Sequence, residues 1–410
     1  MTPPTGKDAA AMAAPAAVPR FSAAPTPLTS SVARGDREPT FRQAPTQLIE
    51  KNDATAPNGR GPWPDGQGHL AEALRRQVLM LARDAGFDLM GIALPGPIAH
   101  PEQYSQMIAA GGHGQMQYLA DTLRQRLDSR AAFPWAKSII CLGVSYFCPD
   151  AGDGAGGGLE HSSAKEVHAP GTHRGAASPV ARYAWGRDYH RVLKGLMNKL
   201  VRAIGELLQK DFLAKVCVDT APLQERDLAH AAGLGWIGKN TLLVNPRHGS
   251  WFVLGEIITD LPLEPDMPER DHCGTCTRCI DACPTQALTP YKLDALKCIS
   301  YQTLENRGEI PTELHGAMQR AGYLVGCDIC QDVCPYNRRP LVTREAGFKA
   351  GPPRFEPAAI VQWDQAEWDR STRGKAYRRA KLAMWQRNVK IVHQGDYPPA
   401  VTTAASRLDE

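Results

Sequence analysis

Eight of the chain's eleven cysteines fall between residues 273 and 335, in spacings that suit redox metal chemistry. Cys273-Gly-Thr-Cys276-Thr-Arg-Cys279-Ile-Asp-Ala-Cys283-Pro284 is the C-x2-C-x2-C-x3-C-P run of bacterial ferredoxins, in which the fourth thiolate ligates the other of two cubes. Cys327-Asp-Ile-Cys330-Gln-Asp-Val-Cys334-Pro335 repeats the last three positions and lacks the first. Cys298 is the only cysteine between the runs and can supply the missing ligand. If the fourth cysteines cross over, one [4Fe–4S] cube takes Cys273, Cys276, Cys279 and Cys334, and the other takes Cys283, Cys298, Cys327 and Cys330. Paired C-x2-C units also hold structural zinc, but seldom in this spacing with a proline after the last cysteine.

Such a module alone would carry electrons. Some two hundred ordered residues precede it, so an electron-consuming site is expected there, and Asp219 is its sharpest candidate. Asp219 ends the apolar strand Val216-Cys-Val218, where partial desolvation would raise its pKa and suit it to donate a proton near neutral pH. The alternative is a helix-capping aspartate. Gly233-x-Gly235-x-x-Gly238-Lys239 has dinucleotide-fingerprint spacing but follows a helix rather than a strand, which excludes a Rossmann reading. Close backbone approach to a flat ligand suits these glycines better. From Arg370 to Lys390 there are eight Lys or Arg and no acid: Arg370, Arg373, Lys375, Arg378, Arg379, Lys381, Arg387 and Lys390. The run is either a solvated face or a phosphate-contacting surface.

The elements that must position these groups follow from periodicity. Leu70, Leu74, Val78 and Leu81 give a helix over 69–83 that Gly86 ends. Strands are expected at 87–93, 138–146, 215–219 and 251–259, with a helix from Asp188 to about Lys210 burying Val192, Leu196, Leu200 and Ile204. Helices at 103–110 and 116–124 complete an α/β (α+β) sheet domain. Cys141 and Cys148 are most simply packed thiols. A last helix over 380–392 buries Leu382, Trp385, Val389 and Val392, which makes Trp385 a core residue rather than a base-stacking one. The domain organisation is a disordered Ala/Pro-rich tail (1–68), a catalytic domain (69–265) with a flexible insertion (150–178), a ferredoxin-like two-cluster domain (266–345) and a short basic helical segment (346–410).

With 410 residues, net charge +4 and an isoelectric point near 8.4, the chain is no polycation, so nucleic-acid affinity must be local. No stretch approaches the roughly 20 apolar residues of a membrane helix. Free thiols and oxygen-sensitive clusters point to a reducing cytoplasm.

Three blocks carry a resemblance: Ser178-Pro-Val-Ala-Arg182-Tyr-Ala-x-Gly-Arg-Asp-Tyr-His190, Val218-Asp219-Thr-Ala-Pro-x-x-Glu-Arg226 and Gly233-Leu-Gly-Trp-x-Gly-Lys239. With Cys298-Ile-Ser-Tyr301 and Gly326-Cys-Asp-x-Cys330, the chain over about 70–395 resembles the epoxyqueuosine reductases, cobalamin-dependent relatives of reductive dehalogenases. The resemblance implies reduction of epoxyqueuosine to queuosine at the tRNA wobble position, the last step of queuosine synthesis. Two [4Fe–4S] clusters would reduce the cobalt to cob(I)alamin, and Asp219 would protonate the departing oxygen. Arg182, Asp219, Lys239, Thr241, Leu243, Leu254, Ser300 and Asp328 would contact the cobalamin. The absence of an Asp-x-His-x-x-Gly pattern implies the base-off form, with no protein imidazole on cobalt. Arg307, Arg378, Arg379, Lys381 and Arg387 would contact tRNA. A monomer served by an unidentified low-potential electron donor is expected, without a membrane. The C-terminus stops soon after one basic helix, whereas many members continue into helical repeats.

Two other readings use the same residues. A reductive dehalogenase-like enzyme acting on a small molecule would share the cofactors but has no need of the basic segment. A ferredoxin-like electron-transfer subunit leaves the first domain unexplained.

Overall fold

The structure, a computed structural model, describes residues 20–21, 68–149 and 180–394. The insertion expected at 150–178, and all of the expected tail except Arg20, Phe21 and Gly68, lie outside the described residues.

A five-stranded sheet organises the first part of the chain. Its strands are β1 (Arg20–Phe21), β2 (Leu89–Ala93), β3 (Ser138–Ser145), β4 (Phe212–Cys217) and β7 (Phe252–Thr259), in the order β1-β4-β7-β3-β2. The short strands β5 (Trp236–Ile237) and β6 (Leu243–Val244) form a separate pair. Every pairing in the large sheet is antiparallel, so of the expected α/β (α+β) character it is the α+β form that is realised. All eight residues of β3 are buried, which requires cover on both faces.

Side-chain alternation supplies the two faces. Ile140, Leu142 and Val144 join the core beneath α1 (Gly68–Ala85) and α2 (Tyr189–Leu208), together with Val78, Ala82, Leu193, Met197, Leu200 and Ile204. Ile139 and Cys141 point the other way, into a core with Cys217, Leu228, Ala229 and Ile258 beneath α3 (Glu225–Ala231). The four positions expected to turn inward on α2 are all buried. Of the face expected on α1, Val78 is buried and Leu74 and Leu81 pack partly buried against the same core, with Ala71 and Ala82 also buried, whereas Leu70 is 73% exposed. Gly86 does end α1, in the left-handed region at φ 105°.

A further core joins Val180, Ala184 and Trp185 to the chain from Ile299 onward. It combines α4 (Ile299–Leu304), α5 (Thr312–Ala321) and α6 (Leu382–His393) with Tyr323, Ile360, Trp363, Trp368 and Tyr377. Trp385 is fully buried at its centre, with its ring centroid 5.2 Å from Phe355, 5.6 Å from Trp363 and 5.7 Å from Tyr377. Among the described residues, no helix is long and apolar enough to cross a membrane.

Candidate active site

Asp219 lies two residues beyond the end of β4, in the left-handed region at φ 56°. An aspartate there costs conformational energy, so the neighbours must hold it. Its amide donates to Glu225 Oε1. Its carboxylate is 60% exposed, and Oδ2 accepts from the Tyr189 hydroxyl at 3.1 Å and lies 3.3 Å from His190 Nε2. Asp219 caps nothing: the N-cap of α3 is Gln224, with no side-chain cap bond.

Tyr189 and His190 open α2, whose N-cap Asp188 accepts the His190 amide at 3.1 Å and the ring Nδ1 at 2.7 Å. The ring stacks on Tyr189 with centroids 4.1 Å apart. Burial pulls the His190 pKa down, but bonds to Asp188 and Asp219 outweigh it and push it up to about 9. The same His190 contact holds Asp219 below the usual carboxylate range, against its desolvation. The sequence led us to expect a raised Asp219; the structure reverses this, because an imidazolium touches the carboxylate. At neutral pH the proton of this pair therefore sits on His190 Nε2, with Oδ2 as its acceptor.

Two buried acids lie behind Asp219. Glu256 on β7 pairs in register with Cys141 on one side and Cys217 on the other, so it faces α3 with them. It is completely buried; burial and then the Glu225 charge raise its pKa well up, and the neutral acid can hydrogen-bond Glu225. Burial and then the Asp219 charge push Glu225 to about 7. Sequence reading did not single out Glu256, and it gave Glu225, which stands in the quoted Val218–Arg226 block, and His190 no role as partners of Asp219. Glu256 hides in an apolar strand, whereas the quoted Asp-Tyr-His block did contain Asp188, Tyr189 and His190.

The eight cysteines lie close enough to shift one another's thiols, and Cys330 feels Cys279 as well as Cys298 and Cys283. Burial pushes the Cys279 thiol up to about 11, and Cys334, Cys273 and Cys276 add to it. Cys327 is raised by burial with Cys330 and Cys298 beside it, and Cys298 in turn feels Cys283. Among the described residues, no three cysteine, histidine or acidic side chains converge as a single metal ion would need.

Of the expected cobalamin contacts, the structure joins Arg182 and Asp328: the Arg182 amide donates to Asp328 Oδ2 at 2.6 Å. Arg182's guanidinium lies over Phe147, Trp185 and Trp251 and donates to the Cys148 carbonyl, while its Nε and Trp251 Nε1 are buried without an acceptor. Burial, then Asp332, raises Asp328 to about 7. Ser300 is half-buried on α4. Thr241 is left-handed at φ 65°, with its carbonyl taken by Arg226. Leu243 and Leu254 pack against the α3-side core. Lys239 turns away to the cysteine loop, where its Nζ donates to the carbonyls of Gly274 and Cys276. The glycines before it serve chain packing, since a Cβ on Gly235 would meet the Val244 carbonyl oxygen at 2.3 Å.

The basic run is less free than its sequence suggests. Arg370 pairs with Glu367, Arg373 and Arg378 with Asp369, and Arg379 with Glu305 at 2.6 Å. Lys375 donates to the Trp185 carbonyl, and Arg387 donates to the carbonyls of Gln302, Asn306 and Gly308. Arg307 and Lys381 are exposed. Arg379, in the middle of the run, is near enough to help lower Asp219.

Residues 126–220 match a family model described as epoxyqueuosine reductase QueG, DUF1730, and residues 272–337 match a 4Fe-4S double cluster binding domain. An epoxyqueuosine reductase of Synechocystis sp. is 39% identical over 73% of this chain and 99% of its own length. That of Xanthomonas campestris pv. campestris is 38% identical over 77% of this chain and 85% of its own. The solved epoxyqueuosine reductase from Streptococcus thermophilus superposes with a TM-score of 0.64 at 27% identity, covering 77% of this chain and 80% of that one. A crystal structure of an epoxyqueuosine reductase with a tRNA-Tyr epoxyqueuosine-modified stem loop gives a TM-score of 0.63 at 27% identity, covering 78% and 80%. The chain therefore belongs to the epoxyqueuosine reductase family, a family of oxidoreductases.

Proposed function

We propose that this chain reduces epoxyqueuosine in tRNA to queuosine with cobalamin bound beside Asp219, electrons arriving through two [4Fe–4S] clusters, and Asp219 delivering the proton. The observation that carries this reading is the exposed, left-handed Asp219 with His190 Nε2 behind its Oδ2. The net change consumes two electrons and two protons, turns the epoxide into an alkene and releases water. An epoxide oxygen leaves poorly as an alkoxide, so a proton must reach it as the ring opens.

The chain's own residues supply that proton in an ordered way. Asp188 fixes the His190 ring through Nδ1, so Nε2 presents its hydrogen to Asp219 Oδ2. Asp219 is ionised, so the proton starts on His190: as charge develops on the substrate oxygen, Nε2 passes its proton to Asp219 and Asp219 delivers it to that oxygen, leaving a neutral imidazole and a carboxylate. The Tyr189 hydroxyl holds the same oxygen, and Glu225 holds the Asp219 amide, so the carboxylate is fixed from both ends.

Cobalamin, when bound, would supply a low-valent cobalt nucleophile for the ring carbon. Arg182 and Trp251 fit such a group, because each has a buried N–H without an acceptor and the corrin fringe is rich in amide carbonyls. Asp328, Ser300, Thr241, Leu243 and Leu254 would complete its surroundings. Cys273, Cys276, Cys279 and Cys334 would hold one cluster, and Cys283, Cys298, Cys327 and Cys330 the other. We assign catalysis to residues 69–265, the clusters to 266–345 and tRNA contact to the segment from 346, with Arg307, Arg378, Arg379 and Lys381 toward the phosphates. A relative crystallised with a modified tRNA stem loop supports the tRNA assignment.

The test is anaerobic. Reconstituted protein, cobalamin and a low-potential reductant are incubated with epoxyqueuosine-containing tRNA, and the digested nucleosides are analysed by mass spectrometry. Queuosine is the expected product. Its absence, with clusters intact and cobalamin bound, would contradict the proposal.

A further inference from the structure

The glycine-rich segment 233–239 has a use that neither phosphate nor corrin binding explains. Its residue Trp236, 1% exposed, pairs with Val244 in the β5–β6 ribbon. The indole Nε1 donates to Cys273 Sγ at 3.4 Å, and the Lys239 amide donates to the same sulfur at 3.4 Å. The indole is clamped edge-on by His272 at 4.9 Å and Tyr336 at 4.8 Å between ring centroids. Lys239 Nζ ties the segment to the cysteine loop through the carbonyl of Gly274 at 2.6 Å and that of Cys276 at 3.1 Å. Gly235 lets the ribbon close tightly enough to set this geometry, since any side chain there would strike the Val244 backbone.

A thiolate bound to an iron–sulfur cube carries negative charge that grows when the cube gains an electron. An N–H aimed at that sulfur stabilises the reduced form more than the oxidised one, so it raises the reduction potential. In the other cysteine set, Cys283 Sγ accepts from a backbone amide, that of Ala287, at 3.3 Å. We propose that Trp236 sets the potential of one cluster: its indole N–H bonds the Cys273 thiolate and makes the cluster of Cys273, Cys276, Cys279 and Cys334 easier to reduce. This rests on the two-cluster reading above and adds a specific positioning residue to it.

The experiment compares reconstituted full-length protein with its Trp236→Phe variant, which keeps an aromatic ring and deletes the N–H. Iron and sulfide content is measured first, and each protein is then titrated anaerobically while reduction is followed by electron paramagnetic resonance. Both proteins should hold two clusters. One couple of the variant should move to more negative potential, by on the order of tenfold in the reduction constant, or about 59 mV for one electron. The second couple should stay. Two couples at native potentials in the variant would overturn the proposal. If the variant loses a cluster, native protein labelled with indole-15N tryptophan decides. Its reduced state should show nitrogen coupling from one indole by pulsed resonance, and absence of coupling overturns the proposal. Native protein without two clusters would instead overturn the cluster assignment itself.

Discussion

Arg387 distinguishes a structural cation from a tRNA contact. It sits on α6, half-buried, and burial lowers its pKa. Its guanidinium reaches the carbonyls of Gln302 and Asn306 at 2.7 Å each and that of Gly308, and also Asn388 Oδ1 at 2.9 Å. Gln302 and Asn306 are buried and Gly308 is exposed, so on deletion water can replace Arg387 at Gly308 but not readily at the other two. Hydrogen bonds to a charged group contribute about 1.5–3 kcal/mol each, so Arg387→Ala should cost roughly 3–5 kcal/mol. For a cooperative unit of this size that corresponds to a fall in Tm on the order of 10 °C. Arg387→Lys should recover less than half, since an ammonium cannot span the fork of carbonyls. The assays are thermal unfolding by circular dichroism and tRNA affinity across a salt series. An unchanged Tm, with the slope of log K against log salt shallower by about 0.7–0.9, would refute the strut and identify a phosphate contact.

Asp219→Asn should lower the rate of queuosine formation by about 10²–10⁴-fold with tRNA affinity retained, read in single-turnover digests; a parent rate would remove it as proton donor. Because the His190 pKa is raised to about 9, its contribution to stability is complete below its ordinary value near 6.5 and disappears as pH rises through 9. The pH–rate profile should accordingly fall above pH 9, and His190→Gln should abolish that limb; a limb kept in the variant would assign it elsewhere. Glu225 is an acid raised to about 7, chiefly by burial, so its contribution to stability is present while it is protonated and is lost as pH rises from about 4.5 through 7. Urea unfolding of Glu225→Gln should be flatter over that range, and an identical pH dependence would contradict the buried-acid description.

How much of this was written in the residues varied with the distance over which each part acts. The double-cluster domain was legible because C-x2-C-x2-C-x3-C-P is a local spacing that the chain carries contiguously. Periodicity carried α2, whose buried positions recur every turn, and a continuous apolar run carried β3, which is buried along its whole length. The Asp219 pKa was misjudged because its decisive neighbour, His190, stands 29 residues earlier and meets it only through the fold. Glu256 gave no signal, since one acid in an apolar strand does not announce which acids the sheet packs against it. The basic run looked unopposed because its counter-charges lie just outside the window, at Glu367 and Asp369, or far away at Glu305. The glycines at 233–238 were rightly associated with close approach, but what approaches is the chain's own Val244 strand and, through Trp236, a cysteine sulfur.

In the proposed reaction, electrons entering at the cysteines leave as a deoxygenated nucleoside beside Asp219. The most direct measurement is an anaerobic electron count against product, with reduced, cobalamin-loaded protein and epoxyqueuosine-containing tRNA. Two electrons should be consumed for each queuosine formed, and Asp219→Asn should retain its electrons while forming almost none. Oxidation of the clusters without queuosine, or equal product from the variant, would contradict it.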